Sequence, residues 1–388
     1  MSEFKYVVKS LTPWMMDELK AFSNHKKFDL ILLRTPDDFY KSQLRELESS
    51  GVKIYVKPSS YNNLISKILL IVKFALMNIS RFSLNYNSVI GIKSIYWFLK
   101  LDISLFSKNS NIHAQFATQP SIVALLIKKY YNNKPIYSFT FHAYDIYFKN
   151  NWLNMLIENS YKCFSISKYN IKYIEDHYLI SDKMKLVRLG VFRDNINKEP
   201  LKTESNTFTL GLMSWFVEKK GVSYLLEAIN KLKKLGYNNI KLILAGDGPL
   251  KNDYLSIIDK NNLSDMVSFI GKIKGKQKEE FYNSIDAFIL PSISLKNDQD
   301  GIPVVLMEAI AYSLPIISTD VSGIPEICIN NYNGFLIKEK NVKAIIDSIT
   351  DLYKNDDKKL CFSTNSLLLS NEYDIQLNSI KKIKLLSW

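Results

Sequence analysis

Short runs of β-branched and aromatic residues recur along the chain, separated by longer segments in which apolar residues return every three or four positions. FDLILL (28–33), VKIYV (52–56), PIYSFTF (135–141) and KCFSIS (162–167) are such runs in the first half. FTLGLM (208–213), IKLILAG (240–246), VSFIG (267–271), AFILPS (287–292), PIISTD (315–320) and GFLI (334–337) follow in the second. Between the later runs lie GVSYLLEAINKLKKLG (221–236), QKEEFYNSID (277–286) and GIPVVLMEAIAYS (301–313), with helical periodicity. Runs that are apolar throughout predict strands buried on both faces, and strand–helix alternation predicts parallel sheets covered on both sides. The stretch RDNINKEPLKTESNT (193–207) is apolar-poor, carries a Pro and reads as a linker. The pattern therefore predicts an α/β protein of two doubly wound domains facing each other across a cleft. The expected domains are 1–195 and 207–365, joined by 196–206, with 366–388 as a C-terminal helix free to cross back to the first domain.

Composition agrees with that division. A chain of 388 residues suits two domains of about 150–200 residues each. It is 47% hydrophobic and 23% charged, an ordinary globular balance. Cys163, Cys328 and Cys361 are far apart and form no CxxC, which points to a reducing compartment and away from a zinc site. The start, MSEFKYVVKS, has no apolar run of signal-peptide length. The longest apolar segment, LISKILLIVKFALM (64–77), is interrupted by Lys67 and Lys73 and is too short to span a bilayer. A cytoplasmic protein is expected.

Charge changes the picture in one region. Residues 1–200 hold 28 Lys and Arg against 16 Asp and Glu, whereas 201–388 hold 23 against 22. Within 51–100 there are seven basic residues and no acidic one. Such a surface is either a solvated face or a contact for anionic partners, including the inner face of the plasma membrane. The apolar segment 64–77 with Lys67 and Lys73 would then rest on that membrane, or else pack into the N-terminal core. No nucleic-acid recognition motif accompanies the charge, so nucleic acid is not expected as a partner.

Candidate chemistry gathers in the second half. Ligands of doubly wound sheets bind outside the carboxyl ends of strands. AFILPS is followed by the polar loop ISLKNDQDG and by a helix that begins near Pro303, a residue type favoured in the first helical turn. Gly301 allows close approach of backbone to a ligand, and the amides of the first turn, with the helix dipole, favour an anion. Glu308 shares a helix face with Val304 and Val305, roughly 10 Å along the axis from Gly301 at about 1.5 Å per residue. Asp300 and Glu308 could thus hold two ends of one ligand; equally, Asp300 could be a helix cap and Glu308 an exposed helix residue. Lys219 and Lys220 open the helix after FTLGLM, where the charge of a diphosphate would need cover. LAGDGPL (244–250) is a strand followed by a Gly-rich turn, with Gly246 and Gly248.

In this order, VEKKG, AGDGPL, ILPS, DGIPVVLME and SGIPE resemble the C-terminal domain of the retaining glycosyltransferases of family 4, which have the GT-B fold of two Rossmann-like domains. The resemblance is strong over 208–337 and looser over 111–192, where IHAQFATQPSIVALLI, SFTFHAYDIY, SISKYN and VRLGV resemble N-terminal landmarks of the family. The His-Ala pairs resemble enzymes of exopolysaccharide, O-antigen and lipopolysaccharide assembly.

The resemblance implies roles. Glu308 would bind the ribose of a nucleotide-sugar, Asp300 would face the donor sugar, and Lys220 would neutralise the leaving diphosphate. Gly301, Ile302, Pro303 and Val304 would hold sugar or phosphate oxygens by backbone, Pro303 itself lacking an N–H. Gly246 and Gly248 would shape the nucleotide pocket, and His142 would reach the donor sugar or acceptor from the N-terminal domain. No metal and no other cofactor is implied; DQD (298–300) matches a metal motif in form only, since its second Asp aligns with the first family Glu. The implied function is retaining, metal-independent transfer from a UDP- or GDP-sugar to a lipid-linked or oligosaccharide acceptor in surface-polysaccharide synthesis.

Three departures stand against the pattern. Trp215 falls where the family has an Arg, so another cation, Lys219, Lys272 or Lys274, would have to replace it. Asp300 is one methylene shorter than the family Glu. KSLTPWMMDEL (9–19) occupies the place of a glycine-rich acceptor loop. The first two leave open a non-catalytic nucleotide-sugar-binding or scaffold subunit.

Overall fold

The computed structural model describes residues 4–82, 86–147, 150–178, 181–193, 207–296 and 298–386. The expected linker, 196–206, lies outside them. The chain forms two compact units: Met1–Leu189 with Ile375–Trp388, and Gly190–Asp374.

The first unit is built on β1 (Phe4–Val8), β2 (Asp29–Leu32), β3 (Lys53–Val56), β4 (Asn111–Gln115), β5 (Ile136–Phe141), β6 (Cys163–Ser165) and β7 (Met184–Leu186). They pair in the order β3-β2-β1-β4-β5-β6-β7, all parallel. The second contains β8 (Phe208–Trp215), β9 (Ile240–Asp247), β10 (Val267–Gly271), β11 (Ala287–Leu290), β12 (Ile316–Thr319) and β13 (Gly334–Ile337), ordered β10-β9-β8-β11-β12-β13 and again parallel. Helices cover the sheets, and most of the inner strands are apolar because both of their faces are buried.

Three strands, β1, β4 and β7, lie where the hydrophobic pattern assigns none. β4 is the instructive case. NIHAQ is largely polar, yet all five residues are buried. His113 Nδ1 lies 2.8 Å from Ser138 Oγ and its Nε2 lies 3.0 Å from Thr140 Oγ1. Gln115 Nε2 donates to Glu18 Oε2 at 2.8 Å. Satisfied hydrogen bonds let polar side chains occupy a central strand.

Residues 366–388 hold more than one element. They include the end of a helix (Asp356–Leu369), a 3-10 turn (Ser370–Tyr373) and a second helix (Ile375–Leu385) that belongs to the first unit. Lys382 anchors this last helix: its Nζ donates to Glu18 Oε1 at 2.6 Å and to the Tyr6 hydroxyl at 3.2 Å, with both charges buried.

The helix Leu64–Met77 carries its first lysine inward. Lys67 is fully buried, donating to the carbonyls of Ser60, Leu99 and Leu101 at 3.2, 3.2 and 2.7 Å. It is therefore not a surface cation beside an apolar face. Phe74 is buried with it, while Ile65, Leu69, Val72, Leu76 and Met77 are exposed. Among the described residues no helix is long and apolar enough to cross a membrane.

Candidate functional site

In the second unit the chain runs outward from β8 to β9 and β10 on one side, and from β11 to β12 and β13 on the other. The direction reverses between β8 and β11. Loops leaving the carboxyl ends of two such strands diverge and open a crevice, the usual ligand position in these sheets.

Here the two loops are locked together at their base. The Ile293 N–H donates to the Lys219 carbonyl at 2.8 Å. Gly221 has φ +64°, and a Cβ on it would lie 1.9 Å from the Pro291 carbonyl oxygen. Only glycine fits that approach. It places Lys219 and Lys220, at the end of the β8 loop, against Asp300 in the β11 loop. Lys220 Nζ donates to both Asp300 oxygens, at 2.9 and 2.8 Å, and Ser292 Oγ donates to Oδ2 at 2.9 Å. Lys219 Nζ bonds Asp298 at 2.7 Å and lies 3.8 Å from Asp300. Burial alone would push the Asp300 carboxyl up; Lys220, Lys219 and the Ser292 hydroxyl overcome it and hold the group below the usual carboxylate range.

Asp300 is thus not a helix cap. Pro303 occupies the cap position of the helix Val304–Ala311, in extended conformation, and its carbonyl accepts from the Leu306 N–H at 3.0 Å. Pro303 stands just before the first turn rather than in it. Gly301, Ile302, Pro303 and Val304 form the strip between Asp300 and the helix, with Ile302 and Pro303 buried. Glu308 follows one turn later, mostly buried rather than exposed. Its Oε2 accepts from the Tyr282 hydroxyl at 2.7 Å, and its Oε1 pairs with Lys278. Lys278 and Tyr282 are four residues apart on the helix Lys276–Asn283, so they present together. Burial, and then the Glu308 charge, raise the Tyr282 phenol well above its ordinary value, leaving it a hydrogen-bond donor.

The carboxyl ends of β8 and β9 complete the crevice. Gly246 and Gly248 have φ +138° and +152°, and a Cβ on either would meet the backbone of Ser214 or Phe216 at 1.9 or 2.5 Å. Lys272 Nζ lies 3.5 Å from Asp247 and 5.1 Å above the ring of Trp215, which is 54% exposed. A cation therefore sits on the indole at the position where the sequence lacks an Arg.

His142 belongs to the first unit, after β5. Its N–H donates to Asp145 Oδ2 at 3.0 Å, and the Ala117 N–H donates to the same oxygen at 2.9 Å, so Asp145 ties the loops after β4 and β5. Gln115 Nε2 faces His142 Nε2 at 3.3 Å, which makes that ring nitrogen the acceptor and puts the proton on Nδ1. The rings of Trp14 and Phe116 lie 4.9 and 4.6 Å from the imidazole. Burial, then the Lys382 charge, lower His142 to about 3, so the imidazole is neutral. Burial raises Asp145 to about 7 against two backbone N–H bonds and Lys9.

The second unit thus brings together Lys219, Lys220 and Asp300, sets Glu308 one helical turn on, and places Gly246, Gly248 and Lys272 beside Trp215. Its further participants, Lys278, Tyr282, Ser292 and Asp298, were not among the sequence candidates. The four-residue spacing of Lys278 and Tyr282 was the available signal. Among the described residues no three His, Cys, Asp or Glu side chains gather as a metal-ligand set.

Two parallel-sheet Rossmann-like domains with this crevice define a GT-B fold. It matches the crystal structure of Anabaena HepE in complex with UDP over 99% of both chains, with a TM-score of 0.72 at 14% identity. Residues 193–366 match the family model of glycosyl transferases group 1. The chain is 30% identical to the uncharacterized glycosyltransferase MJ1178 of Methanocaldococcus jannaschii over 269 residues, 68% of this chain and 70% of that protein. The chain belongs to the glycosyl transferases group 1 family. It is also 30% identical over 166 residues to AmsK of Erwinia amylovora, an amylovoran biosynthesis glycosyltransferase, covering 42% of this chain and 40% of AmsK. WcaL of Escherichia coli, named for colanic acid biosynthesis, is 29% identical over 180 residues, 46% of this chain and 44% of WcaL. The chain thus spans less than half the length of these last two relatives.

Proposed function

We propose that this protein is a retaining, metal-independent glycosyltransferase that moves a sugar from a UDP- or GDP-sugar to a lipid-linked or oligosaccharide acceptor in surface-polysaccharide synthesis. The observation that carries the reading is the Lys220–Asp300 pair at the β8–β11 reversal, with Glu308 one turn along the adjoining helix. The names of AmsK and WcaL support the polysaccharide context, and HepE supports a UDP-sugar donor, having been crystallised with UDP-glucose.

The chemistry follows from the charges. Breaking a sugar–diphosphate bond leaves negative charge on the departing phosphate while the sugar becomes oxocarbenium-like. Lys220 and Lys219, paired with Asp300 and Asp298 in the loop that leads to the helix Val304–Ala311, would meet that negative charge together with the first-turn amides. The ionised Asp300 carboxylate suits the positive sugar. Glu308, oriented by Tyr282 and Lys278, suits a pair of ribose hydroxyls. His142, neutral and oriented by Gln115, is proposed to serve the donor sugar or acceptor. Both carboxylates of DQD are already met by lysines, so the reading assigns no metal to them.

The second reading, a non-catalytic nucleotide-sugar-binding or scaffold subunit, is favoured by Trp215 and by the short Asp300. Incubation of UDP- and GDP-sugars with the protein and a chelator separates the two. Release of free sugar or transfer, with the donor's anomeric configuration retained, supports the enzyme. Tight donor binding with no turnover on any lipid-linked or oligosaccharide acceptor supports the subunit.

A further inference from the structure

The first unit contains a cavity of about 610 Å³ that the proposed donor chemistry does not use. It lies at the carboxyl ends of β2 and β3, where Arg34 and Lys57 leave the sheet, and is walled by one face of the helix Tyr86–Lys100. Lys93, Tyr96, Trp97 and Lys100 line it from that helix at the i, i+3, i+4, i+7 spacing of a single stripe. Its lining thus carries four cations and no carboxylate.

No acidic side chain in the lining neutralises these charges. Among the described residues, Arg34, Lys57 and Lys93 have no ion-pair partner. The Arg34 guanidinium lies 6.0 Å over the Trp97 ring, and Lys100 donates to the Tyr96 hydroxyl at 2.7 Å, so aromatic groups position both cations. Lys9, at the end of β1, adds to the concentration of charge: burial, then Arg34 and Lys93, hold it below the ordinary lysine value, partly offset by Asp145. A fold accepts such like-charge crowding at the carboxyl edge of a parallel sheet most readily where an anion relieves it. The volume exceeds the needs of a lone phosphate and falls in the range of pockets for small ligands. The helix Leu64–Met77, packed beside the Tyr86–Lys100 wall, leaves Ile65, Leu69, Val72 and Leu76 exposed.

We infer that this cavity binds the phosphate or diphosphate group of an anionic acceptor, with Arg34 and Lys93 as its principal contacts. The inference rests on the glycosyltransferase reading for the word acceptor, but the anion site itself does not depend on turnover.

Inorganic pyrophosphate is the probe, followed by titration calorimetry. In Lys220→Ala, which weakens the proposed donor site, pyrophosphate binding is expected to persist. Adding Arg34→Ala and Lys93→Ala is expected to weaken it at least tenfold. The Arg34→Ala, Lys93→Ala double variant without the Lys220 change should still bind nucleotide-sugar, which shows that it folds and separates this site from the donor crevice. Unchanged pyrophosphate affinity after removal of both cations overturns the inference. So does a second outcome: no pyrophosphate binding in solution, with cosedimentation on phosphatidylglycerol vesicles that the double variant loses. That result assigns the cations to a bilayer surface instead.

Discussion

Lys220 Nζ donates to both carboxylate oxygens of Asp300, at 2.9 and 2.8 Å, and so joins the loops that leave β8 and β11. The two residues are 80 apart in sequence and meet only because the strand order reverses between them. In the proposed reaction this lysine divides its protons between Asp300 and the leaving diphosphate. Lys220→Ala should therefore weaken nucleotide-sugar binding by roughly tenfold to a hundredfold, as expected for a charged hydrogen bond of about 1.5–3 kcal/mol. Asp300→Ala should abolish turnover while leaving nucleotide affinity within a few-fold, because it frees the cation for phosphate. Calorimetry and a sugar-release assay on the two variants check this difference.

Glu308 is held by Tyr282 and Lys278 before any ligand arrives. Tyr282→Phe keeps the ring packing against Tyr312, whose centroid is 4.9 Å away, and removes only the hydroxyl. Its expected effect is a loss of nucleotide-sugar affinity smaller than that of Glu308→Ala, with thermal stability lowered by about 1 kcal/mol. Equal affinity in Tyr282→Phe and wild type would show that the hydroxyl does not orient the carboxylate for ligand.

Gly221 sets the spacing between the β8 and β11 loops. Gly221→Ala puts a Cβ 1.9 Å from the Pro291 carbonyl oxygen and forces a side chain onto φ +64°. The expected cost is about 2 kcal/mol or more of stability, with reduced donor binding because Lys220 and Asp300 are displaced together. Gly236→Ala is the control. Its φ is +84°, but a Cβ there meets nothing within 4 Å, so it should cost less and leave donor binding intact. Denaturant unfolding and donor titration distinguish the two.

Asp145 gives a pH signature. Its folded pKa is raised to about 7 from an ordinary value near 3.8, so between about pH 4 and 7 the folded state holds a proton that the unfolded state has lost. The stability contributed by this group is complete below the unfolded value and declines as pH rises to about 7. His142, lowered to about 3 from 6.5, works in the opposite sense, its contribution falling as pH drops below about 6.5. Asp145→Asn should therefore gain stability relative to wild type between pH 4.5 and 7.5, measured by urea unfolding. A difference that does not change with pH would contradict the raised value.

Much of this was legible in the chain. Ten of the strands coincide with apolar runs; inner strands such as β11 and β12 are buried throughout and cannot hide their composition, whereas the edge strands β3 and β10 are partly exposed. β4 escaped because His113 and Gln115 are polar, and their burial is licensed by partners 25 or more residues away, which local pattern does not contain. The spacing of Asp300 and Glu308 alone left two readings open, two ends of one ligand or a helix cap and an exposed helix residue. What spacing could not show was the choice between a cap and an ion pair at Asp300, since that depends on Lys220 arriving from another loop. Lys67 misled for the same reason: a lysine on an apolar helix looks like a surface charge until the carbonyls of Ser60 and of the distant Leu99 and Leu101 surround it. Trp215 looked like a lost cation site, and the cation on its ring comes from Lys272, 57 positions along the chain.

The central claim is that the β8–β11 crevice binds a nucleotide-sugar through Lys220 at the diphosphate and Glu308 at the ribose. The most direct measurement is titration of wild type, Lys220→Ala and Glu308→Ala with a panel of UDP- and GDP-sugars, in the presence of a chelator. The expected result is binding of one donor by the wild type, weakened at least tenfold in each variant, with Glu308→Ala losing affinity for the free nucleoside diphosphate as well. Binding that is indifferent to both substitutions, or binding of no donor by the folded wild type, would contradict it.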